Sequence, residues 1–443
     1  MKYLLETYGC QMNKAESAAV EALLRERSWT PGTVEEANLV LINTCTVRAT
    51  AENRAWGRIA FFAAEKKKRR FSLALLGCMA EQYHQEIKKR APAVDYVLGT
   101  FQKQDLGLVL DQIEMGSSYD LSQESPAYVF ASSHHEPGAF RAFVPIMHGC
   151  NNFCSYCIVP YVRGREISRD PEAIMAELDA LAAAGVREVT LLGQNVNSYR
   201  WKGSQGPLDF PGLLRLIAAR LGGEGRSKDS GIGWVRFLTS HPKDLSDELI
   251  AVLASEPIYC RHIHLCLQSG SNRVLARMNR KYTREYFFGL VEKLQKAVPG
   301  LSFSTDLLVG FPGETEEDLD ETLDAMRRVK FSYSFMYHFN PREGTPAMSM
   351  DDKVPEKTKK ARLAKVIALQ KEITESLMNQ RIGAVDEILV ESLSKRSKME
   401  ILGRTARDEM VVLPGETALI GRFMRVRLLS KSGNTFKAEA VNG

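Results

Sequence analysis

Nowhere in the 443 residues does an apolar run approach the roughly 20 that a membrane-spanning helix needs. The start, Met1-Lys-Tyr-Leu-Leu-Glu6, meets a charge too early for the apolar core of a signal peptide. A strong charge bias is missing too: 59 basic against 54 acidic residues permits nucleic acid as a partner without arguing for it. These absences leave a cytoplasmic, non-membrane chain as the expectation. Eight cysteines in a reducing compartment point to metal or catalytic roles before disulfides. What is present is bulk: the length and an apolar fraction of 44% suit a multidomain enzyme with sizeable cores.

The run Cys150-Asn-Asn-Phe-Cys154-Ser-Tyr-Cys157 gathers three thiolates just after the apolar stretch Phe143 to Met147. Such ligands suit a soft metal or an iron–sulfur cluster. Three are too few to close a four-iron cubane, so one iron keeps an open position for a substrate or cofactor. Structural zinc is the competing reading, but it requires four protein ligands. His148 precedes Cys150 by only two residues, an awkward reach for a tetrahedron.

A second three-thiolate set is spread over the first hundred residues. Tyr3–Tyr8, Leu39–Asn43 and Phe71–Leu76 read as buried strands, each followed by a cysteine (Cys10, Cys45, Cys78) and a helical pattern. Ligands gather at the carboxyl ends of strands in an open parallel α/β sheet, so three strand-end cysteines can converge. A buried cysteine is the default for any one of them; three in register suggest a second cluster with a free iron.

From about Met115 to Pro137 the chain is Ser-rich and acidic without a sustained period, which reads as a linker. Beyond it, strands are expected at Phe143–His148, Glu188–Leu192, Val235–Thr239, Ile263–Leu267, Phe303–Val309 and Tyr333–Phe339. Helical patterns fall between them at Pro171–Ala184, Asp209–Leu221, Arg284–Lys296 and Thr315–Val329. Six βα units predict a partial TIM-like barrel. Polar clusters follow its strands, where barrel chemistry is expected: Gly193-Gln-Asn-Val-Asn197, Thr239-Ser-His-Pro242, Gln268-Ser-Gly-Ser271, Asp306 and Gly310-Phe-Pro-Gly-Glu-Thr315. Each alone has a structural explanation, such as a capping box from Thr315 to Asp318. Cys260 and Cys266 read as packing residues.

Val354 to Arg381 reads as a basic helix whose Lys357, Lys359, Lys360, Arg362, Lys365 and Lys371 are expected on a solvated face. Short β-rich runs follow at Asp386–Glu391, Lys398–Leu402, Met410–Leu413 and Phe423–Leu429, punctuated by Gly403, Pro414-Gly415 and Gly421. They suggest a small OB-like β-barrel, a recurrent RNA-binding architecture. Lys395, Arg396, Lys398, Arg404 and Arg407 are its candidates for phosphate contacts.

The spacing of Cys150, Cys154 and Cys157, with Tyr156 before the last, resembles the signature of the radical S-adenosylmethionine (SAM) enzymes. Together with Tyr8-Gly-Cys10-Gln-Met-Asn13, Asn43-Thr-Cys45-Thr-Val-Arg48 and Leu76-Gly-Cys78-Met-Ala80, it resembles the methylthiotransferases over nearly the whole chain. The resemblance implies a methylthiotransferase domain over 1–115, a linker over 116–137, a radical SAM core over 138–370 and a TRAM domain over 371–443. It implies two [4Fe–4S] clusters, the auxiliary one on Cys10, Cys45 and Cys78 and the catalytic one on Cys150, Cys154 and Cys157. Tyr156, Gln194, Gln268 and Asp306 are, by the same resemblance, the candidates for contacts to SAM or its surroundings. Glu188-Val-Thr-Leu-Leu-Gly-Gln-Asn-Val-Asn197, Arg236-Phe-Leu-Thr-Ser-His-Pro242 and Cys157-Ile-Val-Pro-Tyr-Val-Arg-Gly-Arg165 look like the MiaB branch. That branch acts on tRNA already carrying isopentenyladenosine beside the anticodon and places a methylthio group on C2 of the base. Asn340-Pro-Arg-Glu-Gly-Thr345 departs from the shorter segment of many relatives, which bears on local substrate contacts.

The resemblance further implies that the catalytic cluster passes an electron into SAM to give a 5′-deoxyadenosyl radical, while the auxiliary cluster holds or supplies the sulfur that a second SAM methylates. It implies an anticodon stem–loop as partner, an electron donor such as flavodoxin, no membrane, and a monomer. Two rival readings stand beside it. One is a sister branch acting on threonylcarbamoyl-adenosine tRNA or a ribosomal-protein aspartate. The other is a non-catalytic, metal-stabilised RNA-binding protein.

Overall fold

Fully buried apolar runs alternate with amphipathic helices through the first 115 residues, the pattern of a parallel sheet covered on both faces. The protein is seen in a computed structural model that describes residues 1–47, 49–115, 128–131, 135–136, 138–203, 206–222 and 231–441. The elements are β1 (Lys2–Tyr8), α1 (Gln11–Glu26), β2 (Thr30–Pro31), β3 (Leu39–Thr44), α2 (Ala49–Glu65), β4 (Ser72–Gly77), α3 (Cys78–Gln82), α4 (His84–Arg90), β5 (Tyr96–Leu98) and α5 (Leu106–Met115). The strands run parallel in the order β2-β1-β3-β4-β5. Val40, Ile42, Leu73 and Leu75 enter one core with Phe62, while Leu39, Leu41, Ala74 and Leu76 enter the other with Leu24. That alternation is the two-residue period of a strand buried on both faces. The expected linker lies largely outside the described residues.

The central part contains β6 (Arg141–Pro145), β7 (Met147–His148), α6 (Val159–Val162), β8 (Ile167–Ser168), α7 (Pro171–Ala183), β9 (Glu188–Leu192), β10 (Arg200–Gly203), β11 (Gly206–Asp209), α8 (Phe210–Leu221) and β12 (Trp234–Phe237). It continues with α9 (Asp247–Ser255), β13 (His262–His264), α10 (Asn272–Arg277), α11 (Arg284–Ala297), β14 (Ser302–Val309), α12 (Glu316–Val329) and β15 (Tyr333–His338). Parallel ladders join β6-β9-β12 and β13-β14-β15, and single bridges at Val235↔Tyr259 and Ser240↔Leu265 connect the two groups. Six parallel strands with outer helices make the partial (βα)6 barrel, and among the described residues no ladder closes β15 onto β6. Thr315 caps α12 in a capping box with Asp318. One expected strand is broken: Phe143–His148 splits at Ile146, and Met147–His148 pairs antiparallel with β8. The break turns the chain out of the barrel wall into the cysteine loop.

The chain ends with α13 (Glu356–Arg381) and β16 (Val385–Leu393), β17 (Glu400–Thr405), β18 (Met410–Pro414), β19 (Phe423–Ser432) and β20 (Thr435–Ala440). These five strands close into a barrel in the order β16-β17-β18-β20-β19. Its last strand, Thr-Phe-Lys-Ala-Glu-Ala, escaped the sequence reading because only Phe436 and Ala438 face the core. The basic helix is not solvated all along: Lys359 and Arg362 are buried, and Arg362 Nη1 donates to Glu314 at 2.9 Å.

The closed barrel sits on the amino ends of the central strands. Arg141, which opens β6, bridges Glu188 of β9 at 2.9 Å and Glu391 of β16 at 2.8 Å. Arg236 of β12 holds Glu188 at 2.8 Å and donates to the Thr405 carbonyl at 2.8 Å. Tyr333, first in β15, donates to Asp408 at 2.6 Å. Trp234 meets Phe423 edge-on at 4.9 Å. The carboxyl ends of the strands are left for the cysteines.

Candidate functional site

Tyr8, Thr44 and Gly77 are the last residues of β1, β3 and β4, and they are Cα partners across the sheet. Cys45 and Cys78 therefore follow adjacent strand ends directly, and Cys10 follows one residue later at the start of α1. The turn is built by short-range necessity. Gly77 has φ +93°, and a Cβ there would sit 2.5 Å from the Thr44 carbonyl oxygen. Buried Asn13 donates to Asn43 Oδ1 and the Thr44 carbonyl, both at 3.1 Å, while Asn43 donates back to the Asn13 carbonyl at 2.9 Å. This asparagine pair, whose role no local sequence pattern encodes, pins the Cys10 turn to the Cys45 turn. Burial raises the Cys78 thiol, with nearby Cys10 adding to the rise and Arg163 opposing it.

The second triad lies at the carboxyl end of the central barrel. Gly149 has φ +80°, and a Cβ would fall 2.0 Å from the Arg165 carbonyl oxygen, so only glycine precedes Cys150 here. Gln194, just after β9, accepts the Gly149 N–H at 2.6 Å and so steadies the loop. Buried Arg280 donates to Cys154 Sγ at 3.3 Å and to the Cys266 carbonyl at 2.8 Å, tying the loop to the end of β13. Burial pushes the Cys157 thiol up to about 12, helped by the neighbouring Cys154 and Cys150, and pushes Cys150 up to about 11. Thiols so placed, each set of three without a fourth cysteine, suit a cluster that leaves one iron open. His148 Nδ1 lies 3.4 Å from Arg163 Nη1, and its ring stacks on Tyr128 at 3.5 Å.

Between the triads runs a buried polar junction. Glu16 of α1 takes Arg163 at 2.9 Å and also pairs with Lys103. Burial alone would raise Glu16, but the two cations outweigh it and lower its pKa to about 2. Arg163 follows α6 in the barrel domain, so the junction locks the N-terminal sheet to the cysteine loop.

The concave face of the barrel carries the remaining candidates. Asp306, on β14, accepts from Cys266 Sγ at 3.3 Å and lies 3.2 Å from His264 Nε2. Cys266 is thus a polar partner of Asp306 and not simply a packing residue; a three-residue β13 shows too little alternation for that to be read from sequence. Cys260 does pack, against Trp234 and Leu389. Gln268 is stitched to β14 by its backbone, its N–H donating to the Asp306 carbonyl and its carbonyl accepting from Leu308 N, each at 2.9 Å. Its φ is +67°, and Thr239 at the end of β12 has φ +68°. Left-handed non-glycine residues at two strand ends mark the mouth as a strained region. Tyr156 packs against the cluster of Val274, Met278, Phe311, Phe339 and Ala347. The structure brings Tyr156, Gln194, Gln268 and Asp306 to one barrel mouth with Cys150, Cys154 and Cys157.

The phosphate candidates divide. Lys395, Arg396 and Lys398 are exposed on the loop between β16 and β17. Arg404 and Arg407 are not: Arg404 is tied to Glu391 at 2.8 Å and Asp408 at 2.7 Å, and Arg407 donates to the Gly300 carbonyl. Both belong to the seam between barrels, a correction to their expected role. A basic residue in sequence carries no sign of whether it faces water or an acid.

Comparison with known proteins fits this layout. Residues 2–99 match the family described as Uncharacterized protein family UPF0004, 144–326 the Radical SAM superfamily, and 379–441 the TRAM domain. A tRNA-2-methylthio-N(6)-dimethylallyladenosine synthase of Treponema pallidum (strain Nichols) is 49% identical over 456 residues, covering 100% of this chain and 99% of its own. The chain belongs to the tRNA-2-methylthio-N(6)-dimethylallyladenosine synthase family. The synthase of Treponema denticola is 47% identical, with 99% of each chain covered. Among solved structures, the radical S-adenosylmethionine methyltransferase TsrM from Kitasatospora setae superposes with a TM-score of 0.59 at 15% identity, covering 78% of this chain and 77% of TsrM. The cobalamin-dependent radical enzyme OxsB does so at 0.53 and 11%, covering 85% and 56%. Those two likenesses concern fold alone. As a radical SAM methylthiotransferase, the enzyme requires a [4Fe–4S] cluster and SAM, its UPF0004 region is consistent with a second cluster, and its substrate is tRNA. Among the described residues no helix is long and apolar enough to cross a membrane.

Proposed function

We propose that the two cysteine triads divide the reaction of this synthase between them. The observation behind the division is the separate construction of the two turns, one on three in-register strand ends of the N-terminal sheet and one on the Cys150–Cys157 loop at the barrel mouth. Cys150, Cys154 and Cys157 hold the cluster beside SAM; Cys10, Cys45 and Cys78 hold a second [4Fe–4S] cluster. When bound, the clusters and SAM supply one-electron cleavage of SAM and the methylthio group. The chain's own groups do the holding: Gln194 fixes the Gly149 N–H, Arg280 fixes Cys154 against the β13 end, and Asp306 and Gln268 line the mouth beside SAM. Closure of the N-terminal sheet over that mouth, through Glu16 and Arg163, keeps water from the reacting carbon.

In this reading the partner is a tRNA anticodon stem–loop carrying isopentenyladenosine, gripped through Lys395, Arg396 and Lys398. The functional units are 1–115, 138–370 and 371–443, acting in a cytoplasmic monomer served by an electron donor such as flavodoxin. One anaerobic reaction tests it: cluster-reconstituted protein, SAM, a strong reductant, and isopentenylated and plain stem–loops, read by nucleoside mass spectrometry. The methylthio base is expected only on the prenylated loop. Cys154→Ala should abolish 5′-deoxyadenosine formation, and Cys45→Ala should keep it while losing the methylthio product. A Cys45→Ala protein that still makes product would refute the division.

A further inference from the structure

Two large rings are partly exposed on the concave face of the barrel. β14 and β15 turn alternate residues inward. Ser304, Asp306 and Leu308 face the interior with Tyr333, Phe335 and Tyr337, whereas Phe303, Leu307 and Phe331 enter the core beneath the helices. At the foot of β15, Tyr333 is anchored to Asp408 and stacks on His262. Nearer the mouth the cover ends: Phe335 is 41% exposed and Tyr337 38%. β15 is also the open edge of the barrel, a position where exposed apolar rings are a hazard for the free protein.

The register places these rings. Phe335 is the Cα partner of Asp306, and Tyr337 that of Leu308. Asp306 contacts Cys266, whose carbonyl shares Arg280 with Cys154. Leu308 and Tyr156, which lies inside the cysteine loop, pack against the same apolar cluster of Val274, Met278 and Phe311. Each ring is thus one strand away from a residue linked to the cysteine loop indirectly, Asp306 through Cys266 and Arg280, and Leu308 through the cluster it shares with Tyr156.

We propose that Phe335 and Tyr337 are specificity-determining residues: an aromatic wall that receives the N6-alkylated adenine, its purine face and its branched apolar tail together. The inference rests on the functional reading above. Alkylation of N6 removes one amino hydrogen from the base and adds apolar surface. A polar pocket built to read the unmodified edge would reject that group, and an aromatic wall gains from it. Base stacking on a ring tolerates substitution at the base edge, so selectivity comes from the extra apolar contact. The wall's place on the open edge lets a base swung out of an RNA loop enter sideways, without threading the barrel.

The test is the affinity advantage of an isopentenylated anticodon stem–loop over the same loop without the prenyl group, measured by fluorescence anisotropy with cluster-reconstituted protein and SAM. The KM ratio of the two RNAs for product or 5′-deoxyadenosine formation accompanies it. For Phe335→Ala and Tyr337→Ala the advantage should fall by about tenfold. Phe335→Leu should retain part of it, and Tyr286→Ala, an exposed ring on α11, should retain all of it. The leucine variant guards against misfolding, because it keeps an apolar side chain at the position. Wild-type advantage in both alanine variants would overturn the wall. A wild-type protein indifferent to the prenyl group would overturn the functional reading and the wall together, and the two failures are told apart by that first measurement.

Discussion

Arg342 and Glu52 form an ion pair at 2.9 Å although 290 positions separate them. Arg342 also donates to the Val47 carbonyl at 3.1 Å, and Val47 N lies 3.3 Å from Cys45 Sγ. Arg342 belongs to Asn340–Thr345, so this segment clasps the barrel onto the Cys45 turn. Both side chains are mostly buried, and loss of the pair should cost about 2 kcal/mol. Arg342→Ala is expected to raise 5′-deoxyadenosine formed per methylthio product, measured in one reaction by liquid chromatography. The exchange Arg342→Glu with Glu52→Arg should restore coupling; an exchanged protein no better than the single variants would remove the clasp from the argument.

The glycines before the two triads allow each site to be damaged alone. A methyl group at Gly77 or Gly149 meets a carbonyl oxygen, and the left-handed backbone adds about 1–2 kcal/mol for any other residue. Gly149→Ala should lower iron bound at the barrel mouth while the N-terminal triad still loads, and Gly77→Ala should do the reverse. Iron and sulfide content, with the complementary cysteine triad removed in each case, distinguishes them. Equal loss at both sites from either change would show the turns are not independent.

Asp408 gives the seam between barrels a pH dependence. Burial penalises its carboxylate, yet facing positive charge and the Tyr333 hydroxyl hold its pKa far below the ordinary 3.8. His262, pushed down to about 3 by burial, is neutral above that, so Arg404 and Arg236 carry the effect. A depressed carboxyl contributes stability fully present above its unfolded pKa and lost as pH falls through the folded one. Urea unfolding should therefore show the seam weakening below about pH 4, and Asp408→Asn should flatten that slope at a cost of about 3 kcal/mol at pH 7. An acid limb unchanged in the asparagine variant would assign it to other carboxylates or to the charging of buried His262.

RNA affinity should separate the basic residues that the structure divides. Replacing Lys395, Arg396 and Lys398 with Ala is expected to reduce the slope of log affinity against log salt by about 1 per lost phosphate contact. Arg404→Ala should lower the unfolding midpoint and leave that slope alone. A slope that responds to Arg404 and not to the loop would reverse the assignment.

Much of this was legible in advance, for identifiable reasons. Glu188–Leu192 is a five-residue strand buried throughout, and its bounds follow from the apolar run itself. The helix after Thr315 could be read from its capping box. The short helices α9 and α10 were not, since each holds too few turns for a period to emerge, and their caps, Ser246 and Ser271, resemble loop residues. At the site, spacing singles out Cys150, Cys154 and Cys157, and the strand pattern places Cys10, Cys45 and Cys78 at the strand ends where the structure has them. The partners that aim them were hidden. Arg280 and Arg163 act across long chain separations, which no local pattern encodes.

The closed barrel sits at the amino ends of the central strands, and the cysteines sit beyond the opposite ends. β14 alone, eight residues long, spans about 26 Å. Anchorage and reaction are therefore a strand's length apart. A free nucleoside, however well its base fits, can occupy only one end of that span. An RNA long enough to lie along the open edge can occupy both at once, and the second contact is then made at the high local concentration that a tether provides.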